Sequence, residues 1–138
     1  MVSYISKTPS TPDELDSLIN VETTTAFEKD LHQLDSKDQE KVSSKINQIV
    51  ELMKDDIFPI QHQDLTKIRI QLAAYTPSLY LLKITPDLRV FLFLVDDPIF
   101  NQKILTLLRV FSHQDMDKVL RGLAESYYQQ ELLSIENS

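Results

Sequence analysis

Apolar positions recur along this chain at two periods, and the change from one to the other outlines the fold. Between Phe27 and Met53 the spacing is helical. Phe27, Leu31 and Leu34 stand at i, i+4, i+7, and Val42, Ile46, Ile49, Val50 and Met53 form a second stripe. Thr25 with Glu28, and Ser36 with Gln39, have the spacing of capping boxes at the starts of these two helices. Pro59 bounds the second helix, because the residue before a proline is pushed out of the helical region. Two amphipathic helices with a tight link make a helical hairpin. Ahead of them, Val21 to Thr25 is short and β-branched, compatible with an edge strand.

From Lys67 the period drops to two. Lys67 to Ala74 alternates, with Ile68, Ile70 and Leu72 on one side and Lys67, Arg69 and Gln71 on the other. Turn signals at Thr76-Pro77-Ser78 and Thr85-Pro86-Asp87 mark off a strand from Leu79 to Thr85 and another from Leu88 to Val95. The latter is apolar on both faces apart from Arg89, as a strand at the centre of a sheet would be. Asp96-Asp97-Pro98 opens a loop, and Lys103 to Phe111 is the last strand. A stripe of Met116, Val119, Leu120, Leu123 and Tyr127 then predicts a terminal helix, capped by Ser112 and Asp115. The order β-α-α-β-β-β-β-α predicts an α+β fold: a helical hairpin packed on one side of an antiparallel sheet of about four strands, with a C-terminal helix. The two helix stripes are expected to bury against Ile68, Ile70 and Leu72. Residues 1–20, with Pro9, Pro12, many Ser and Thr and an acidic run from Asp13 to Asp16, read as a flexible arm, and residues 21–138 as one domain.

Composition narrows the chemistry. At 138 residues and 42% apolar content the chain can bury a single core. It contains no cysteine, which excludes disulfides and thiolate catalysis and suits a reducing compartment. Its one glycine, Gly122, is too few for a phosphate-cradling loop of the Walker or dinucleotide type. His32, His62 and His113 are far apart and lack the spacing of a metal site, so neither metal nor other cofactor is expected. No leader-like or membrane-spanning run is present, which leads to the expectation of a cytoplasmic protein without a membrane partner.

Charge singles out one stretch. The net charge is -7, yet the strand-rich window from Lys67 to Arg109 holds Lys67, Arg69, Lys83, Arg89, Lys103 and Arg109 against only Asp87, Asp96 and Asp97. Cations projecting from a sheet, framed by acidic helices, suggest an anion-binding surface.

With these elements in place the chain resembles the RelE/ParE superfamily, the toxins of bacterial type II toxin–antitoxin pairs, across roughly residues 21 to 125. Phe27-Glu28-Lys29-Asp30-Leu31 with Leu34 is similar to the family's first-helix pattern. Leu79-Tyr80-Leu81-Leu82-Lys83-Ile84 resembles a strand of the HigB-like branch, with Lys83 where that branch carries Arg. Leu88-Arg89-Val90-Phe91 resembles the following strand, with Arg89 in the shared arginine position, and Ile104 to His113 resembles the last one.

The resemblance implies a ribosome-dependent mRNA endonuclease held inactive by an antitoxin. In it Lys83 and Arg89 stabilise charge on the phosphate, His113 acts as acid or base, and Lys67, Arg69 and Arg109 hold RNA phosphates. The partners implied are an antitoxin, the ribosome and mRNA, with a homodimer as a further option. Two other functions fit the same fold: a non-catalytic protein-binding module and a gyrase poison of the ParE type. The pattern departs from the family after the last strand, where His113 and Gln114 replace an adjacent basic pair. Residue by residue, simpler readings stand beside the functional ones. Lys83 and Arg89 could be strand cations reaching for water, and Arg109 could pair with a carboxylate of the terminal helix such as Asp117.

Overall fold

The computed structural model describes residues 4–6, 18–54, 61–70, 72–73 and 76–136. The strands are β1 (Tyr4–Ser6), β2 (Leu18–Thr23), β3 (Leu65–Ile68), β4 (Leu79–Lys83), β5 (Leu88–Asp97) and β6 (Gln102–Ser112). The helices are α1 (Thr25–His32), α2 (Ser36–Met53) and α3 (Met116–Glu136), with a 3-10 turn at His113–Asp115 leading into α3. The six strands form one sheet in the order β1-β2-β6-β5-β4-β3.

The α+β class, the helical hairpin, the C-terminal helix and the antiparallel run from β3 to β6 are as expected. Three features differ. Among the described residues the sheet has six strands where about four were predicted, and β2 runs parallel to β6, from Leu18 opposite Gln102 to Thr23 opposite Leu107. Within the predicted arm, residues 4–6 and 18–20 are strand, with Tyr4 opposite Val21, while residues 7–17 lie outside the described residues. The alternating stretch from Lys67 to Ala74 is strand only as far as Ile68, and Gln71 and Ala74 lie outside the described residues.

Each helix starts one residue earlier than the capping boxes suggested. Thr24 is the N-cap of α1 and its side chain accepts from Phe27 N; Asp35 caps α2 by accepting from Asp38 N at 2.8 Å. Both are competent cap residues next to another one, and the extended backbone at Thr24 and Asp35 decides between them. Ser112 caps nothing: its hydroxyl donates to Asp87 Oδ1 at 2.9 Å.

The sheet is covered on both faces. Phe27 of α1 and Val42, Ile46, Ile49, Val50 and Met53 of α2 pack with Tyr80, Leu82, Val90, Leu92, Leu105, Leu107 and Val110. On the opposite face Val119 and Leu123 of α3 pack with Leu79, Phe91, Phe93, Leu108 and Phe111. Phe91 stacks on Phe111 with ring centroids 4.7 Å apart, and Phe93 meets Tyr127 edge-on at 5.6 Å. Burial raises the Tyr127 hydroxyl above its ordinary pKa, while Tyr128 beside it is exposed. The expected burial of the helix hairpin on Ile68, Ile70 and Leu72 is therefore corrected. Ile68 and Leu72 belong to the α3 face, and Ile70 is 53% exposed. As the edge strand, β3 adds only the partly buried Leu65 there, whereas β2, β4, β5 and β6 supply the buried apolar residues under α1 and α2.

A bulge interrupts β6. Phe91 stands opposite Arg109 but Leu92 opposite Leu107, so Leu108 is an extra residue. Leu105 and Leu107 face α1 and α2 before the bulge, and Val110 does so after it. The outer edge of β6 loses its neighbour here because β2 ends at Thr23. Residues of α1 and its cap replace the missing strand: Thr24 N donates to Leu107 O, Thr24 Oγ1 donates to Leu108 O, and Asp30 Oδ2 accepts from Val110 N at 3.0 Å. Asp30 also takes Arg109 Nε at 2.6 Å and Arg109 Nη2 at 3.1 Å. Asp30→Ala leaves the Val110 amide and the guanidinium without their acceptor. It should lower stability by about 1–3 kcal/mol, measured as a shift in the urea midpoint at unchanged slope. Asp30→Asn, which can still accept from Val110, should lose less.

Candidate functional site

The β4–β5 hairpin sets the position of the two cations of interest. Leu88 O accepts from Ile84 N at 2.9 Å and from Thr85 N at 3.1 Å, while Thr85 Oγ1 takes Leu88 N at 3.0 Å. Pro86 sits in this turn, where a missing N–H costs nothing. The closed turn fixes the register so that Lys83 lies opposite Arg89, and Arg89 in turn lies opposite Phe111. Residues directly opposite one another share a face, so Lys83 and Arg89 stand on the α3 side of the sheet near its end.

His113 is brought to the same end. Its backbone N donates to Asp87 O, and the neighbouring Ser112 hydroxyl holds the Asp87 carboxylate. The end of β6 is thus tied to the hairpin turn, and the exposed His113 ring begins the 3-10 turn beside it. Arg89 Nη2 donates to Pro86 O at 3.0 Å, and Arg89 Nε is buried with no acceptor among the described residues. A buried guanidinium N–H without an acceptor is costly, and an incoming anion that draws the side chain outward would relieve that cost.

The remaining cations divide. Lys67 lies opposite Tyr80 and shares its α1–α2 face, so it stands on the other side of the sheet from Lys83. Arg69 follows just beyond the strand, and both side chains are exposed. Arg109 is engaged by Asp30 of α1, not by Asp117 of α3, and this hydrogen-bonded carboxylate raises the guanidinium above its ordinary pKa. Lys103 is buried and its ammonium donates to Met53 O at 2.7 Å. The window from Lys67 to Arg109 is therefore not one cationic surface. It presents Lys83 and Arg89 near one end of the sheet and Lys67 and Arg69 toward the other, while Arg109 and Lys103 serve internal contacts.

A second polar cluster adjoins Lys83, and no motif or spacing in the sequence signals it. Lys83 N donates to Asp64 O at 2.8 Å. The Asp64 carboxylate accepts from Lys45 Nζ of α2 at 2.8 Å, and its backbone N donates to His62 Nδ1 at 3.0 Å. Lys45 holds the Asp64 carboxyl below its ordinary pKa, with smaller contributions from His62 and Lys83. Only a contact between α2 and the entry to β3 assembles this group. His62 and Asp64 are two residues apart, but Lys45 is 19 residues from Asp64. Among the described residues no set of three His, Cys, Asp or Glu gathers as a metal site would require, and no helix is long and apolar enough to cross a membrane.

In chemical terms, the hairpin end offers two cations, of which Arg89 is anchored on Pro86 O, an exposed imidazole and an ionised carboxylate held by a lysine. Cations at such a place can take up charge on a phosphate, and an imidazole can carry a proton near neutral pH.

No family model matches the chain, and neither does any curated relative. Solved structures do. The YoeB/ParE toxin from Agrobacterium tumefaciens is similar over 67% of this chain and 97% of its own, with a TM-score of 0.50 and 13% identity. YafQ from E. coli, at 14% identity and a TM-score of 0.44, and a metal-bound toxin from Helicobacter pylori, at 19% and 0.39, are looser likenesses. The first shows a shared fold, the RelE-like arrangement expected from the strand motifs.

The Lys45–Asp64 pair has a readable pH signature. Because the folded state holds the Asp64 carboxyl below its unfolded value of about 3.9, the pair adds stability above that pH. The contribution is lost as pH falls from there through the lowered folded value. Urea midpoints of the wild type should therefore fall on acidification in this range more steeply than those of Asp64→Asn. Parallel curves would show that the pair contributes no pH-dependent stability.

Proposed function

We propose that this protein is a RelE-like toxin of a type II toxin–antitoxin pair that cleaves mRNA on the ribosome without a metal. The observation that carries the reading is the convergence of Lys83, Arg89 and His113 at one end of the sheet, in a fold shared with a YoeB/ParE toxin. In such a reaction the ribose 2′-oxygen attacks the adjacent phosphorus and the bond to the 5′-oxygen breaks. The products are a 2′,3′-cyclic phosphate and a free 5′-hydroxyl. Lys83 and Arg89 take up the negative charge that builds on the non-bridging oxygens. His113 carries one of the two protons, from the 2′-hydroxyl or to the leaving oxygen, and water or a ribosomal group carries the other. Lys67, on the other face of the sheet, and Arg69, beyond the end of β3, do not touch the same phosphate and would hold one farther along the RNA. Arg109 contributes to RNA only where a phosphate competes with Asp30. An antitoxin keeps the toxin silent, and both act in the cytoplasm.

The net charge of -7 favours a second reading, a protein-binding module with the same fold, because each anion facing rRNA works against docking. Gyrase poisoning of the ParE type is the third.

Induced expression in a bacterial host separates the three. Growth arrest with cleaved transcripts supports the endonuclease, arrest with a DNA-damage response and intact transcripts supports gyrase, and undisturbed growth supports the module. For the endonuclease, Arg89→Ala should lower the cleavage rate by roughly 10² to 10³ with the fold intact, as loss of one transition-state donor does. His113→Ala should cost less. Wild-type cleavage by the double variant would remove both residues from the mechanism.

A further inference from the structure

The loop joining β5 and β6 carries the largest apolar exposure of the described residues. Ile99 is 84% and Phe100 74% exposed, side by side at the tip of the hairpin. The tip is built, not loose. Asp97 Oδ1 accepts from Ile99 N at 3.1 Å and Phe100 N at 3.3 Å, and Asp97 Oδ2 takes Gln102 Nε2 at 3.4 Å. Asn20 of β2 donates to Gln102 Oε1 at 3.1 Å, bracing the loop from the next strand. Asn101 adopts φ 49°, a left-handed conformation that Asn tolerates better than most residues. A loop whose backbone is already held presents its two apolar side chains with less ordering left to lose on docking, as anchor residues should. Beside them Asp96 is exposed and forms no ion pair among the described residues; the residue opposite it, Lys103, is turned inward.

A complementary surface exists on the same chain. Lys67, Arg69, Ile70 and Pro77, with Thr76 and Ser78, line an open depression of about 270 Å³. Its lining includes the exposed Ile70 together with Lys67 and Arg69, neither of which forms an ion pair among the described residues. The apolar tip with its acidic flank finds there both apolar side chains, Ile70 and Pro77, and two cations, Lys67 and Arg69. They also occupy the same end of the sheet, since Leu79, which follows the depression, lies opposite Phe93 of β5 as that strand runs toward its tip. Two patches at one end of a molecule can be exchanged reciprocally about a two-fold axis, which closes the assembly at two copies.

We infer that the chain forms a two-fold homodimer in which the Ile99–Phe100 tip of each copy seats against Ile70 and Pro77 in the depression of the other, with Asp96 facing Arg69. The pairing leaves the opposite end of the sheet, with Lys83, Arg89 and His113, uncovered. It covers Lys67 and Arg69, so dimer and RNA compete for these two cations.

Sedimentation velocity of the full chain over a range of concentrations tests this. The expected result is a reversible monomer–dimer equilibrium weakened by salt. Phe100→Ser should raise the dissociation constant at least about tenfold, in the range of an interface anchor. Arg69→Glu should weaken it too, and adding Asp96→Arg to Arg69→Glu should restore it. All these positions are exposed, and an unchanged far-UV circular dichroism spectrum verifies folding. A monomer at every concentration overturns the inference, as does a dimer indifferent to Phe100→Ser or a charge swap that fails to restore it. A monomer whose tip variants lose binding to a different protein also overturns it, and assigns the tip to that protein.

Discussion

The closure of the outer edge of β6 is the constraint on which the fold depends. A strand edge inside a protein must find partners for its amides and carbonyls, because an unpaired one costs about as much as a lost hydrogen bond. Here β2 satisfies that edge only up to Leu107. Beyond it, Thr24 and Asp30 take over, and both belong to α1 and its cap. A single carboxylate thereby joins a strand amide, a strand guanidinium and a helix. This holds α1 across β6 with Phe27 fully buried, and α2 follows from the short link at its end. The bulge at Leu108 is part of the same joint, since it turns Arg109 toward Asp30 while returning Val110 to the α1–α2 face.

The sheet that results has an apolar middle and polar ends. Both faces of β5 are covered, one by the helical hairpin and one by α3, so charge is tolerated only where the strands emerge. Lys83 and Arg89 stand near one such end and the β5–β6 tip forms the other. Where a cation does enter the interior it is held by a specific acceptor, as Lys103 is by the carbonyl at the end of α2. Position along the strand, more than the count of cations, therefore decides which of them can meet a ligand.

The same distinction explains what could be read from the sequence. Helix stripes were legible because apolar spacing directly reports the buried face, and all five residues of the second stripe are core. The nearness of Lys83 and Arg89 was legible too, since a Thr-Pro-Asp turn fixes the register of the residues flanking it. The fates of Arg109 and Lys103 were not. Their partners, Asp30 and Met53 O, lie 79 and 50 residues away, and charge counting treats a paired cation like a free one. Nor was the end of β3 legible. Alternation continues through Ile70, but an edge strand has a neighbour on one side only, and pairing with β4 stops at Ile68. The Leu107-Leu108 doublet, which breaks the alternation of the last strand, was the available sign of the bulge.

The parallel pairing of β2 with β6 carries a consequence for the order in which the protein is made. Thr24 and its partner Leu108 are 84 residues apart, and closing a loop of that length precedes any reward from the contact. A ribosome releases α1 and α2 well before β5 and β6, so the apolar stripe from Phe27 to Met53 emerges with no sheet to cover it. Until the last strand arrives the nascent chain is an uncovered amphipathic hairpin, a natural client for a chaperone. A premature stop anywhere before β6 would leave it in that condition permanently, so truncated products should go to proteolysis and not persist as a partly active protein.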